Sequence, residues 1–381
     1  MTQAHPDSKE ALAHQLRQSS DAGSRLRLSG AGSKRRMGGP VLEADIQITT
    51  AALNKVLQYE PKDLTISVEA GLPWSRLQRM LAAERQMIPL DPPYFEQATV
   101  GGVVASNTCG PRRRLYGSAR DHVIGMQFVT LEGKIIQSGG MVVKNVAGLD
   151  MGKLMIGSFG TLAALAVVNF KLTPMPPASR TFLFQSDSAD EAVDRRDEIL
   201  RGVLQPCAVD LLNPHAAAQL GLEGYTLAVQ AVGSEKVVER YRRDLAGWRE
   251  WEGSPESTLW ESIREFTPSF LAEREDGAVV RLSGALDQLR QICEDAKVPF
   301  VARAGNGVGY GYFPDAESAV SCLGECVQKG WRGVVEHLPN RSITAEEQWP
   351  APGDDFAVME KIKNMMDPKG LLNKGRLYGR I

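Results

Sequence analysis

Three glycine-bearing stretches, set far apart along the chain, most restrict what it can fold into. The last lies within residues 131–174, LEGKIIQSGGMVVKNVAGLDMGKLMIGSFGTLAALAVVNFKLTP. This run opens strand-like between Gly133 and Gly139-Gly140 and passes through Lys144-Asn145-Val146-Ala147-Gly148-Leu149-Asp150. It then reaches a tight turn, Gly157-Ser158-Phe159-Gly160-Thr161. A β-branched segment at 163–172 follows, closed by Pro174. Two glycines three apart between apolar runs let a backbone approach a flat ligand that a side chain would block. Ordinary turns use the same residues, so the weight comes from two stretches upstream.

The first of these is Arg25-Leu26-Arg27-Leu28-Ser29-Gly30-Ala31-Gly32-Ser33-Lys34, an alternating run that breaks into small residues. Such a loop turns successive N–H groups toward one point and forms an anion nest. A plain tight turn is the alternative. The spacing is not that of a Walker loop, and Arg35 stands where a dinucleotide fingerprint needs its third glycine. The second stretch covers 99–111, TVGGVVASNTCGP. Gly101-Gly102 and the small residues after them suit the start of a helix facing a phosphate. Arg112-Arg113-Arg114 comes next, either a solvated basic loop or a group that neutralises pyrophosphate or docks a partner.

At 381 residues the chain has room for two domains, or three if one is small. A net charge of −2 gives no support for nucleic acid or an anionic membrane as the main partner. No apolar run reaches membrane-spanning length, and MTQAHPDSKE lacks a signal-peptide core. Five scattered cysteines argue for a reducing compartment, so the expected setting is the cytoplasm. Attachment to a membrane through partner subunits stays open.

Periodicity predicts helices at 10–18 and 74–84, the latter burying Leu77, Met80 and Leu81, and a strand at 64–69. Residues 88–93 read as extended because of their prolines. Pro174, Pro176 and Pro177 mark a domain boundary. Beyond it, helices are predicted at 188–200, 235–248, 285–296 and 316–329, and strands at 207–212, 225–232, 278–282 and 299–303. That pattern fits an α+β domain of helices on one antiparallel sheet. A helix at 356–366 and the tail 367–376, DPKGLLNKGR, complete the chain.

The glycine stretches and tail together resemble the vanillyl-alcohol-oxidase type of FAD-binding domain, of the PCMH class. Within that class the resemblance extends to the FAD-binding subunits of bacterial glycolate oxidase. The residues that carry it are PLDPP (89–93), TVGGVVASN (99–107), GPRRR (110–114), RDHVIG (120–125), KNVAGLD (144–150) and GSFGTLA (157–163). The resemblance implies two subdomains clamping FAD over 1–176, a smaller α+β cap domain over 177–350, and a helix and tail, 351–381, returning to the flavin domain. Gly30, Ala31, Gly32, Ser33 and Lys34 would wrap the pyrophosphate. Thr99, Gly101, Gly102, Ser106 and Asn107 would line the pyrophosphate and the flavin-proximal wall. Gly157 and Gly160 would hold ribityl and adenine, and Asn373 and Arg376 would reach the flavin edge. Small side chains and main-chain N–H groups suit a phosphate, and flat apolar walls suit the rings.

The implied activity is FAD-dependent oxidation of a CH–OH group, glycolate to glyoxylate, within a heteromeric complex. The implied partners are a larger catalytic FAD-binding subunit and an iron–sulfur subunit that takes the electrons, with a small 2-hydroxy acid as substrate. A free-standing FAD dehydrogenase for another hydroxy acid or alcohol, and a flavin-binding structural subunit, remain the alternatives. No histidine stands in the pyrophosphate loop where some relatives tether FAD, so the cofactor is expected to be non-covalent. Cys109 reads as a buried small hydrophobe. Lys374 stands where relatives usually have proline. Related hydroxy-acid dehydrogenases bind a metal through histidines flanking a GDGN loop and a later Glu-His pair. Here that loop reads Arg303-Ala304-Gly305-Asn306-Gly307-Val308-Gly309-Tyr310, and only Glu336-His337 answers to the pair. One histidine and one carboxylate make a poor divalent site, so no metal is expected. Arg303, Tyr310 and His337 are the candidate catalytic residues, an arginine for a carboxylate and a histidine for a hydroxyl proton.

Overall fold

The computed structural model describes residues 1–142, 149–339 and 343–381. Lys144, Asn145, Val146, Ala147 and Gly148 of the third motif therefore lie outside the described residues. The chain divides into two compact units. The first comprises Met1–Cys109, Ser118–Met175 and Ala351–Ile381, and the second Gly110–Gly117 with Pro176–Pro350.

In the first unit, a small parallel sheet orders its strands Thr2–Ala4, Ile46–Thr49 and Leu26–Ser29. Leu26 and Ile48 bury against Leu12 and Leu16 of the helix Lys9–Asp21. Ser8 starts that helix by accepting the Ala11 N–H on its hydroxyl, as an N-cap should. Among the described residues, the larger sheet of this unit is antiparallel, in the order Val56–Glu60, Thr65–Glu69, Ala164–Lys171, Val123–Val129, Ile135–Gly139. Ala164–Lys171 lies at its centre and is buried along all but its last residue, Asn169 included. The helix Trp74–Ala83 packs Trp74, Leu77 and Leu81 into the same core as Ile66, Val68 and Phe170. Each such side chain contributes roughly 1.5–3 kcal/mol by leaving water. The predicted strand at 64–69 begins one residue later, because Leu64 turns left-handed.

The second unit is built on one antiparallel sheet, eight-stranded among the described residues. Its order is Arg249–Trp251, Ala178–Ser186, Tyr225–Gly233, Ala208–Leu212, Phe300–Arg303, Val308–Phe313, Ala278–Ser283, Arg332–His337. Alternation sorts its residues onto two faces. Leu211, Val280 and Ala302 pack beneath the helices Ala189–Arg201, Glu235–Asp244, Leu289–Asp295 and Ala316–Gln328. Leu212, Val279 and Val301 pack under Ser254–Arg264 and Phe266–Ala272. Helices thus cover parts of both faces of this one sheet.

Two predicted helices are shorter than expected. Residues 235–248 are helical only over Glu235–Asp244, and 285–296 begins as a 3₁₀ turn before Leu289–Asp295. The segment 303–310, read as a loop, is a hairpin. Arg303 ends one strand and Tyr310 lies inside the next. Glycine is required there, since a Cβ on Gly309 would sit 2.2 Å from Cζ of Phe300.

Candidate functional site

The strand Leu26–Ser29 delivers the first glycine loop to the middle stretch. A Cβ on Gly30 would lie 2.1 Å from Oγ1 of Thr99, so these two residues can touch only because one is glycine. Thr99 is buried and caps the helix Val100–Ser106, its hydroxyl accepting the Gly102 N–H at 3.3 Å. The Gly30 carbonyl in turn accepts from Thr49 Oγ1 at 2.8 Å. Gly32 is left-handed, φ +73, with nothing within 4 Å of where a Cβ would stand. Among the described residues, no acceptor takes the N–H groups of Ala31, Gly32 and Ser33. Three successive open N–H groups beside a bare glycine make an anion nest. Lys34, at the end of the loop, is buried.

The middle and last stretches also meet. Gly157 and Phe159 donate their N–H groups to Val104 and Ala105 carbonyls at 3.2 and 2.8 Å. Asn107 closes its helix left-handed, and a Cβ on Gly157 would contact its side chain at 3.6 Å. Ser106 turns its hydroxyl back to the Gly102 carbonyl at 2.6 Å. Gly101 is tight for an internal reason. Its Cβ would meet the Ala70 side chain at 2.9 Å and the Ala70 carbonyl at 3.0 Å, so the close approach is to protein backbone.

The tail closes the arrangement. Asn373 is buried and left-handed. Its side-chain carbonyl accepts the Leu28 N–H at 2.8 Å, and its amide donates to the carbonyls of Phe159 and Leu28 at 2.9 and 3.1 Å. A Cβ on Gly160 would collide with that amide at 2.9 Å. Asn373 therefore joins the first and third stretches through their backbones. Arg376 behaves similarly, donating to the carbonyls of Lys34, Arg35 and Gly39 at 3.2–3.4 Å. Its guanidinium lies 5.6 Å from the Phe159 ring centroid.

These residues fit an anionic cofactor. Burial, with Arg27 alongside, pushes Arg376 down to about 10. The buried Nε atoms of Arg27 and Arg376 have no hydrogen-bond partner among the described residues. Two guanidinium groups near an open N–H nest are what a pyrophosphate would offset.

The catalytic candidates Arg303, Tyr310 and His337 belong to the second unit. Arg303 pairs with the buried carboxylate of Asp210 and lies 5.7 Å from the Tyr310 ring centroid. Its charge is thus matched by Asp210 in this structure. His337 is buried, with Nδ1 3.6 Å from Glu336. Arg281, which sequence reasoning missed, pairs in register with Tyr310 and reaches Glu336 at 3.8 Å. Burial pushes the Glu336 carboxyl above its usual range, and Arg281 partly restores it. A lone arginine within the apolar strand Ala278–Ser283 was the available signal. Among the described residues, no group of three or more His, Cys, Asp or Glu side chains is placed to hold a metal.

The family described as FAD binding domain matches residues 3–139. The glycolate oxidase subunit GlcE of Escherichia coli is 30% identical over 98% of this chain and 99% of its own length. The chain belongs to this FAD-binding family of oxidoreductases. Its cofactor is FAD. Glycolate oxidase subunit GlcD of Bacillus subtilis is 28% identical over 86% of this chain and 78% of its own. D-2-hydroxyglutarate dehydrogenase of Xanthomonas citri is 26% identical over 94% and 83%. The solved structure of an alkyldihydroxyacetonephosphate synthase shares the fold with a TM-score of 0.71 at 17% identity, covering 97% of this chain and 76% of that one. No helix among the described residues is long and apolar enough to cross a membrane.

Proposed function

We propose that this chain is the FAD-carrying subunit of a glycolate or related 2-hydroxy-acid oxidase complex. The observation that carries the reading is the nest at Ala31, Gly32 and Ser33 with Arg27 and Arg376 beside it, in a chain that matches a glycolate oxidase subunit end to end. Cofactor binding is assigned to 1–176 with 351–381, and 177–350 acts as the cap. Gly30, Ala31, Gly32, Ser33 and Lys34 face the pyrophosphate, with Thr99, Gly102, Ser106, Asn107, Gly157 and Gly160 shaping the walls. When bound, FAD supplies a two-electron acceptor for the hydride leaving the hydroxyl-bearing carbon.

The pairing of Arg303 with Asp210 favours a chain that carries electrons while a larger flavin subunit holds the substrate. Electrons then leave through an iron–sulfur partner. The five cysteines form no disulfide, and Cys322 and Cys326, whose sulfurs are 3.9 Å apart, offer two ligands where a cluster needs about four. Tagged chain drawn from its native host should bring flavin, iron and a second flavin subunit with it. Isolated flavin-loaded chain, mixed with millimolar glycolate without oxygen, should keep its yellow colour until the partners are added. Bleaching by the isolated chain within seconds would instead support a free-standing dehydrogenase.

A further inference from the structure

The cofactor loop is held from outside by the tail. Among the described residues, the main-chain bonds internal to 30–42 include two tight turns, Arg35 to Gly32 and Met37 to Lys34. The tail supplies much of the rest. Gly39 and Leu42 donate to the carbonyls of Arg376 and Lys374 at 2.8 and 2.9 Å. A Cβ on Gly39 would lie 2.2 Å from the Gly375 carbonyl, so the two backbones are in direct contact. Upstream of the loop, Leu26 donates to Leu371, and Asn373 donates back to Leu26. The tail therefore grips both the strand that enters the loop and the segment that leaves it.

That grip is itself anchored. Asp367 accepts the N–H groups of Leu371 and Leu372 on its two oxygens, at 2.9 and 2.8 Å. The buried Lys363 ammonium bonds Asp367, the Leu372 carbonyl and the Thr161 carbonyl at 2.6–2.9 Å. One cation thus ties the helix Phe356–Met366, the tail and the third glycine stretch together.

We infer that Arg376 is a positioning residue for the cofactor, and that docking of the tail and binding of FAD favour each other. Its forked guanidinium draws the carbonyls of Lys34, Arg35 and Gly39 to one side, leaving the N–H groups of Ala31, Gly32 and Ser33 open. The same cation is buried beside Arg27, so without an anion its docking is opposed by desolvation and by like charge. An anion in the nest relieves both. Coupling of this kind is reciprocal: whatever the tail adds to FAD affinity, FAD adds to tail docking. The inference rests on the FAD reading above, and its test separates the two.

The full chain is stripped of flavin and titrated with FAD by fluorescence, and hydrogen exchange of 371–381 is followed with and without FAD. FAD should slow exchange across the tail. Arg376→Ala should weaken FAD binding by about 10–100-fold, the range for losing hydrogen bonds to a charged group, and remove the FAD-dependent protection. Arg376→Lys, which keeps the charge but loses the fork, should fall between. If Arg376→Ala does not fold, Arg376→Lys decides. Arg380→Ala, an exposed change in the same tail, should leave affinity unchanged. Wild-type affinity in the Arg376 variants, or tail exchange indifferent to FAD, overturns the inference. Failure of the wild-type chain to bind FAD at all overturns the cofactor reading instead.

Discussion

Asp210 and Arg303 form an ion pair between adjacent strands, with the aspartate side chain 1% exposed and the arginine 12%. Replacing the arginine alone strands a buried carboxylate. Arg303→Met should therefore cost about 3–5 kcal/mol in urea unfolding. The double change with Asp210→Leu should recover much of the loss, because apolar residues can replace a buried pair with little cost. An unchanged midpoint in Arg303→Met would mean the arginine is spare and available to a substrate.

Glu336 sets a pH signature. Its folded carboxyl is buried and holds its proton more tightly than in the unfolded chain, with Arg281 opposing. A raised carboxyl pKa favours the folded state at low pH, and that contribution is lost as pH rises through the folded value. Glutamine cannot ionise. Glu336→Gln should therefore gain stability relative to wild type as pH is raised from 4 toward 8. The check is urea midpoints of both proteins across the range, and a gap that stays flat would show that the carboxyl does not titrate upward.

The glycines separate into those facing a ligand and those facing protein. Gly101→Ala pushes a methyl into Ala70 and should lower the cofactor-free melting midpoint, at a cost of about 1–3 kcal/mol. Gly32→Ala meets open space but must hold a left-handed backbone, costing about 1–2 kcal/mol, and its methyl projects where the anion belongs. Its main effect should be on FAD affinity, by about tenfold or more. If Gly32→Ala binds FAD normally, the nest lies elsewhere.

Flavin should leave the protein intact under acid. Cys109 directs its Sγ toward the Asn107 carbonyl at 3.6 Å, and the Gly30–Lys34 loop carries no histidine. Acid precipitation should move all yellow colour to the supernatant, and colour in the pellet would point to Cys109. Chelators should leave the melting temperature and flavin content unchanged, since no group of three or more His, Cys, Asp or Glu side chains among the described residues is placed to hold a metal.

Residues with a local cause were legible in the sequence. The helix Phe356–Met366 and the strand Tyr225–Gly233 declare themselves by periodicity, and the helix Val100–Ser106 by Gly101-Gly102 and the small residues after them. What escaped depends on partners far away. Asn373 and Arg376 suggested flavin contacts, yet their bonds go to Leu28 and Gly39, more than 300 residues earlier. No local pattern encodes that. Val308–Phe313 escaped because Gly309 and Gly311 look like loop residues until Phe300 is laid across them. Arg281 was passed over because its partner Glu336 is 55 positions on and reached only through strand pairing.

Synthesis runs from the amino end, so the clasp of Lys363, Asn373 and Arg376 leaves the ribosome after the loop it closes and after the second unit. Domains generally fold as they emerge. The glycine loop must then wait, unclasped, while nearly the whole chain is made. Loading with FAD becomes a late event in the life of each molecule, and products that stop short of residue 373 should emerge folded in large part yet colourless.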